Sequence, residues 1–377
     1  MVDDERRNDV EDELRRQAKK SFDTGMTAFH RGDYSEALSA LDDALELCQD
    51  ISGSECGQAD CLHSSGIVLG EMGDLREALG CYEQALVLYR EVPGNECGQA
   101  DCLYNIGVAL GGLGDSRGAL KCYERALILF QGVPDSGRAQ AECLFNRGAM
   151  LNELGDWRGA LGCFERSLTL FQGVPGSERE QADCLYGSGA TLSELGDYWE
   201  ALGYFGRALV LLGKGVVEAD RVEAERTGAC CLQGIGNCLI ELNEAVFPDH
   251  FARALDVFRR PEHVDHTKAD QASCLRSIGN GRSATGDLNG AVEAYQQAQD
   301  LYRQVGQPER ATEINVPLAR VLKRKAVAID SIFERLALLE ESLNLTIEAA
   351  LSLDRARFRL ERLDDRQRWF QAHARST

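Results

Sequence analysis

Apolar residues recur along this chain at helical rather than strand spacing. Leu103, Ile106, Gly107 and Leu110 fall at i, i+3, i+4 and i+7, and beyond Gly114-Asp115 the residues Ala119, Leu120, Tyr123, Ala126 and Leu127 keep the same period. Two amphipathic helices joined by a short turn make a helical hairpin. A Gly before Asp suits the left-handed backbone that ends a helix, and small residues at Gly107 and Ala119 let the paired helices approach closely.

The hairpin repeats. Gly32-Asp33-Tyr34-Ser35-Glu36-Ala37-Leu38 returns as GDLREAL from Gly73, GDSRGAL from Gly114, GDWRGAL from Gly155 and GDYWEAL from Gly196, each step being 41 residues. Ahead of the later turns stands a second block: ADCLHSSGIVL from Ala59, ADCLYNIGVAL from Ala100, AECLFNRGAML from Ala141 and ADCLYGSGATL from Ala182. A degenerate sixth unit reads ACCLQGIGNCLIELNE from Ala229, with an insertion around Phe247-Pro248-Asp249-His250 and a second helix carrying Ala254-Leu255. A seventh returns from Ala272. Units therefore start near residues 18, 59, 100, 141, 182, 229 and 272. A hairpin with so narrow an apolar stripe cannot bury it alone, so neighbours must stack, and the expected fold class is an all-α solenoid of about seven hairpins.

Three segments follow from this reading: a charged stretch over 1–17, the array over 18–312, and a helical C-terminal cap over 313–377. In the cap, Pro317 sits in the first turn of a helix through Leu318, Val321 and Leu322. A longer helix carries Ile332, Phe333, Leu336, Leu339, Leu343, Ile347 and Ala350 on one side.

The large and small residues of the unit resemble the tetratricopeptide repeat. Counted from Ala100 as the first position, Leu103, Gly107, Leu110, Ala119, Tyr123 and Ala126 meet that family's pattern, while the fourth unit has Ser167 at the last small site and the first has Ser21 and Leu41 at large ones. The unit is longer than usual, with segments such as Gln131 to Gly137 added after the second helix, and in this it resembles the repeats of kinesin light chains and Pins-type adaptors. The resemblance covers roughly residues 18–312 and implies an α-α superhelix that binds proteins or peptides without catalysis.

It also implies where binding occurs. In the family the first helices line the concave face, with positions two, five or six, nine and thirteen pointing into it. Position five holds His63, Tyr104, Phe145 and Tyr186, an aromatic row; position two holds Asp60, Asp101, Glu142 and Asp183, an acidic row; position thirteen adds Glu71, Glu153, Glu194 and Glu241. Such a groove suits an extended segment bearing apolar side chains and Lys or Arg. Asn105 and Asn146 at position six correspond to residues that hold peptide backbones in the adaptor families, whereas Ser64, Gly187, Gly234 and Ser277 interrupt the series. The competing reading is that the aromatics pack on the neighbouring helix and the acids are simply solvated.

Composition narrows the partners. With 41 Lys+Arg against 61 Asp+Glu the formal charge is −20, which disfavours nucleic acid and anionic membranes. No run approaches the roughly 18 apolar residues of a membrane span, and the start lacks an apolar signal core, so a cytoplasmic protein is expected. The cysteines follow the repeat: Cys61, Cys102, Cys143, Cys184, Cys231 and Cys274 share the third position of the first helix, and Cys81, Cys122 and Cys163 share one place in the second. Small apolar packing explains such columns better than zinc or redox chemistry. His250, His263 and His266 with Asp249, Glu262 and Asp265 form the one His/carboxylate cluster, read as a solvated connection with a metal site as the alternative. No nucleophile constellation or phosphate loop is present, so neither enzyme activity nor a cofactor is expected.

A second function class comes from the C-terminal segment. Leu360, Asp365, Arg366, Trp369 and Phe370 resemble the stretch that joins such repeats to CHAT-type caspase-like peptidase domains in bacterial proteins. That resemblance implies a regulatory half of a peptidase system whose catalytic domain is absent from this sequence.

Overall fold

In four hairpins the Gly-Asp pair performs two tasks in the folded chain. Gly114 adopts φ +83°, a backbone closed to most side chains, and ends one helix. Asp115 then caps the next, its carboxylate accepting from the Gly118 N–H at 2.9 Å. Asp33, Asp156 and Asp287 cap their helices in the same way.

The computed structural model describes residues 2–213, 220–244, 247–260 and 264–373, with side chains over 10–213, 220–244, 248–260 and 267–352. Among the described residues the regular structure is all helical. The chain divides into two units, Met1–Leu195 and Gly196–Thr377.

The N-terminal unit contains α1 (Val2–His30), α2 (Tyr34–Gln49), α3 (Glu55–Met72), α4 (Leu75–Glu91), α5 (Glu96–Gly112), α6 (Ser116–Phe130), α7 (Gly137–Glu153), α8 (Trp157–Phe171) and α9 (Glu178–Leu195). Helices pair as hairpins α1/α2, α3/α4, α5/α6 and α7/α8, and each second helix also packs on the first helix of the next hairpin. The core follows the repeat. Tyr82, Tyr123 and Phe164 are buried against a glycine of their own hairpin. A Cβ on Gly107 would lie 2.6 Å from the Tyr123 ring, so the small residue is a condition of the close approach. Ser167 departs from the small-apolar pattern but is fully buried, and its hydroxyl donates to the Ala141 carbonyl at 2.7 Å.

The residues added after each second helix tie down its last turn. Ser136 donates to the carbonyls of Phe130 at 2.6 Å and Val133 at 2.8 Å, and Gln140 reaches Phe130 from the next helix. Ser177 and Gln181 repeat the arrangement on Phe171 and Val174. Carbonyls left unpaired at a helix C-terminus thus find partners in the longer loop.

The C-terminal unit contains α10 (Tyr198–Leu212), α11 (Arg221–Glu241), α12 (Phe247–Phe258), α13 (Val264–Thr285), α14 (Leu288–Gln304), α15 (Pro308–Glu313), α16 (Asn315–Val327) and α17 (Ile332–His373). Phe251, Phe258, Tyr295, Ile314 and Leu318 build its core. The expected apolar side of α17 does not pack: Ile332, Phe333, Leu336, Leu343 and Ile347 are exposed. α17 meets the rest of the unit through a different stripe, Leu338, Ser342, Leu345 and Ala349, with the Ser342 hydroxyl donating to the Ala319 carbonyl at 2.8 Å. Two apolar stripes run along this helix, and the one with smaller residues permits the closer approach. The side chains of Leu360, Asp365, Arg366, Trp369 and Phe370, which carry the peptidase-linker resemblance, lie outside the described residues. No helix is long and apolar enough to cross a membrane among the described residues.

Candidate ligand-binding face of the N-terminal unit

The residues singled out at positions two, five and six lie on α3, α5, α7 and α9, within the N-terminal unit. His63, Tyr104, Phe145 and Tyr186 are all half-buried. Each of the first three leans on the aromatic residue of its own second helix: His63 on Tyr82 at 5.7 Å between ring centroids, Tyr104 on Tyr123 at 6.1 Å, and Phe145 on Phe164 at 5.5 Å with the edge-to-face geometry aromatic pairs favour. One edge of the row is thus anchored in the hairpin, and what remains accessible is a half-buried edge rather than free-standing rings.

The two asparagines connect successive hairpins. Asn105 pairs with His63 Nε2 at 2.8 Å, and Asn146 donates to the Tyr104 hydroxyl at 2.9 Å. Both asparagines follow a hairpin whose position-five ring carries a polar atom, although not every such ring is followed by Asn, since Gly234 comes after Tyr186. Where that ring is Phe22 or Phe145, position six is Ser64 or Gly187. At Gly187 a Cβ would also lie 2.9 Å from the Phe164 ring, which leaves no room for a longer side chain. Burial lowers the His63 pKa despite the opposing charges of Asp101 and Asp60, so the neutral ring that accepts from Asn105 is favoured.

The acidic row is partly engaged. Asp60 accepts from the Tyr89 hydroxyl, and the Cys97 thiol lies 3.6 Å from Asp101. Burial raises the Asp101 and Glu142 carboxyls above their usual range. Arg179 binds Asp183 at 3.0 Å, and Arg138 spans Glu142 at 3.5 Å and Glu180 at 2.7 Å. Burial alone would raise Glu180 as well, but hydrogen bonding from Arg138 and the charges of Arg179 and Arg138 outweigh it and hold this carboxyl below its usual range.

Five anticipated residues converge on a cavity of about 230 Å³ between the third and fifth hairpins: Tyr104, Glu142, Phe145, Asn146 and Asp183. Phe171, Arg179 and Glu180 complete its lining. Sequence reasoning passed over these three and Arg138, although the 41-residue step already aligns Arg138 with Arg179 and Phe130 with Phe171. The same step places Phe22 in the aromatic row, one unit ahead of His63.

Thiols in the shared column are core atoms. Cys61, Cys102, Cys143, Cys184 and Cys274 are buried, and burial pushes each pKa up to about 12, which suits packing rather than nucleophilic attack. His263 lies outside the described residues, as does the His266 side chain; among the described residues no group of three or more His, Cys, Asp or Glu is placed to hold a metal ion.

The tetratricopeptide repeat profile matches residues 23–91, 61–132 and 137–212. Similar solved structures include the apo form of the quorum sensor NprR from B. thuringiensis, with TM-score 0.65, 16% identity and coverage of 93% of this chain and 94% of that one. Apo RapI gives TM-score 0.61 at 16% identity, covering 77% and 99%, and a tetratricopeptide repeat protein from Parabacteroides merdae gives 0.51 at 15%, covering 87% and 99%. At these identities the likeness concerns the fold. No curated protein sequence matches the chain.

Proposed function

We propose that this chain, a tetratricopeptide repeat protein, is a non-catalytic scaffold that holds an extended peptide or a partner's exposed segment against the first helices of its N-terminal unit. The observation that carries this reading is the convergence of Tyr104, Glu142, Phe145, Asn146 and Asp183 on one cavity. An apolar floor with a few fixed polar groups is the usual make-up of a binding site. That a similar fold belongs to a protein described as a quorum sensor is consistent with ligand binding by such an array.

Within this proposal Tyr104 and Phe145 supply apolar contact area. Asn105 and Asn146 spend an amide N–H on the preceding hairpin and offer the ligand backbone their amide oxygens. Asp101, which no arginine pairs in the way Arg179 pairs Asp183 and which, unlike Asp60, accepts no tyrosine hydroxyl, is the better position for attracting a Lys or Arg of the ligand. The array is taken to span residues 18–312 with a cap over 313–377, and the cytoplasm is its proposed location.

Selection of a random peptide library on the purified chain tests the reading. Peptides that bind the parent protein should be lost on Glu142→Lys, a half-exposed position, while helicity is retained. Unaltered binding of every selected peptide by Glu142→Lys would remove this face as the site.

A further inference from the structure

A second hollow lies at the start of the array, and the repeat register explains its existence. At one position near the end of the second helix the successive hairpins carry Cys48, Tyr89, Phe130 and Phe171, each 41 residues apart. The three rings are buried. Gly98 sits directly over Tyr89, its hypothetical Cβ 2.9 Å from the ring. Gly57, the same position one unit earlier, is retained although the ring beneath it is not, and only the Cys48 sulfur lies within reach, at 3.2 Å. A thiol in place of a six-membered ring leaves space that the surrounding helices do not close, because the neighbours are held by their own repeat contacts.

The resulting cavity measures about 360 Å³. Its interior is apolar, with Ala18, Phe22, Cys48, Ile51 and Cys61 as walls. Its rim bears Arg15 and Lys19, both exposed and one helical turn apart on α1, and the Arg15 guanidinium reaches over to the Ser52 carbonyl at 3.5 Å. Lys19 occupies the place that Asp60, Asp101, Glu142 and Asp183 hold in later hairpins, so the charge of that column is inverted here alone, in a chain of net charge −20. Asp60, also at the rim, is engaged by the Tyr89 hydroxyl.

We propose that this hollow is a binding site for an aromatic ring that carries an anionic group beside it. The ring fills the volume that Tyr89, Phe130 and Phe171 fill in the following hairpins, and the anion lies between the Arg15 guanidinium and the Lys19 ammonium. Two sources supply this chemistry, a free aromatic carboxylate and an aromatic side chain next to an acidic one in a peptide. The site is separate from the cavity at the third to fifth hairpins and does not depend on the function proposed for it.

The test uses the full chain and 2-naphthylacetate, whose fluorescence reports binding. One saturable equivalent is expected. Cys48→Phe restores the register aromatic and should weaken binding at least tenfold without lowering the melting temperature; Cys48→Leu, which fills part of the same space, provides the measurement if the larger ring is not accommodated. Arg15→Glu with Lys19→Glu, both on the surface, should weaken binding at least tenfold and remove its dependence on salt. Displacement by acetyl-Asp-Phe-Asp-amide assigns the site to a peptide side chain, and failure to displace assigns it to a free carboxylate. Absence of saturable binding by both probes, or binding undiminished in the filled variants, overturns the proposal.

Discussion

Asn146 donates its side-chain amide to the hydroxyl of Tyr104, 2.9 Å away and one hairpin earlier in the stack. The contact between Asn105 and His63 is its counterpart one unit before. These bonds fix the register of neighbouring first helices, so they set the spacing of the residues that face a ligand. A neutral hydrogen bond of this kind contributes about 1 kcal/mol. Asn146→Ala and Tyr104→Phe should each lower stability by roughly that amount, and the double variant should lose less than the sum. A urea double-mutant cycle measures the difference; full additivity would show the bond to be energetically silent.

Glycines in the hairpins divide by what surrounds them. Gly107→Ala drives a methyl group to within 2.6 Å of the Tyr123 ring and should cost about 1–3 kcal/mol through overpacking. Gly80, in the interior of α4, has nothing within 4 Å of a Cβ, and Gly80→Ala should stabilise by about 0.5–1 kcal/mol through helix propensity. Thermal melts of the two variants should move in opposite directions.

His63 links this face to pH. Its folded-state pKa is lowered, mainly by burial, so the unfolded chain binds the proton more readily. Its contribution to stability is therefore present above the ordinary imidazole pKa of about 6.5 and is lost as pH falls below it. Protonation also removes the lone pair that accepts from Asn105. His63→Phe keeps a ring against Tyr82 and removes the titration, so the parent protein should lose melting temperature relative to this variant between pH 7 and pH 5. Parallel pH profiles would contradict the assignment.

Arg138 and Glu180 should matter more than a surface pair. Glu180 is only 14% exposed, and its bond to Arg138 is 2.7 Å long. Arg138 is itself 45% exposed, so solvent screening trims the gain from this charged hydrogen bond, and Arg138→Met should cost about 1 kcal/mol. Because Glu180 is held below its usual range, the stability it contributes is present above the ordinary glutamate pKa and fades as pH falls through the folded-state value. The deficit of the variant, followed by denaturation at falling pH, should shrink in acid.

The hairpins were legible because a 41-residue period repeats the same large and small residues, and the pairing of Gly107 with Tyr123 needs only that pattern. The cysteine columns were legible for the same reason. The engagement of Asn105 and Asn146 was not, since it depends on what the preceding hairpin offers: a polar atom on His63 or Tyr104, none on Phe22 or Phe145. The Arg138–Glu180–Arg179 contacts were equally hidden, because these residues precede the first position of their units and fall outside the recurring blocks, while the structure places Arg179 and Glu180 inside α9. On α17 the pattern showed an apolar side correctly but not which of two stripes meets α16, because both have helical spacing.

Hydrogen exchange with a peptide selected on the purified chain addresses the central claim most directly. Binding should slow exchange in α5, α7 and α9, the helices that carry Tyr104, Phe145 and Asp183, and leave α6 at its free rate. Protection confined to α6, or to residues 196–377, would place the ligand elsewhere and contradict the account.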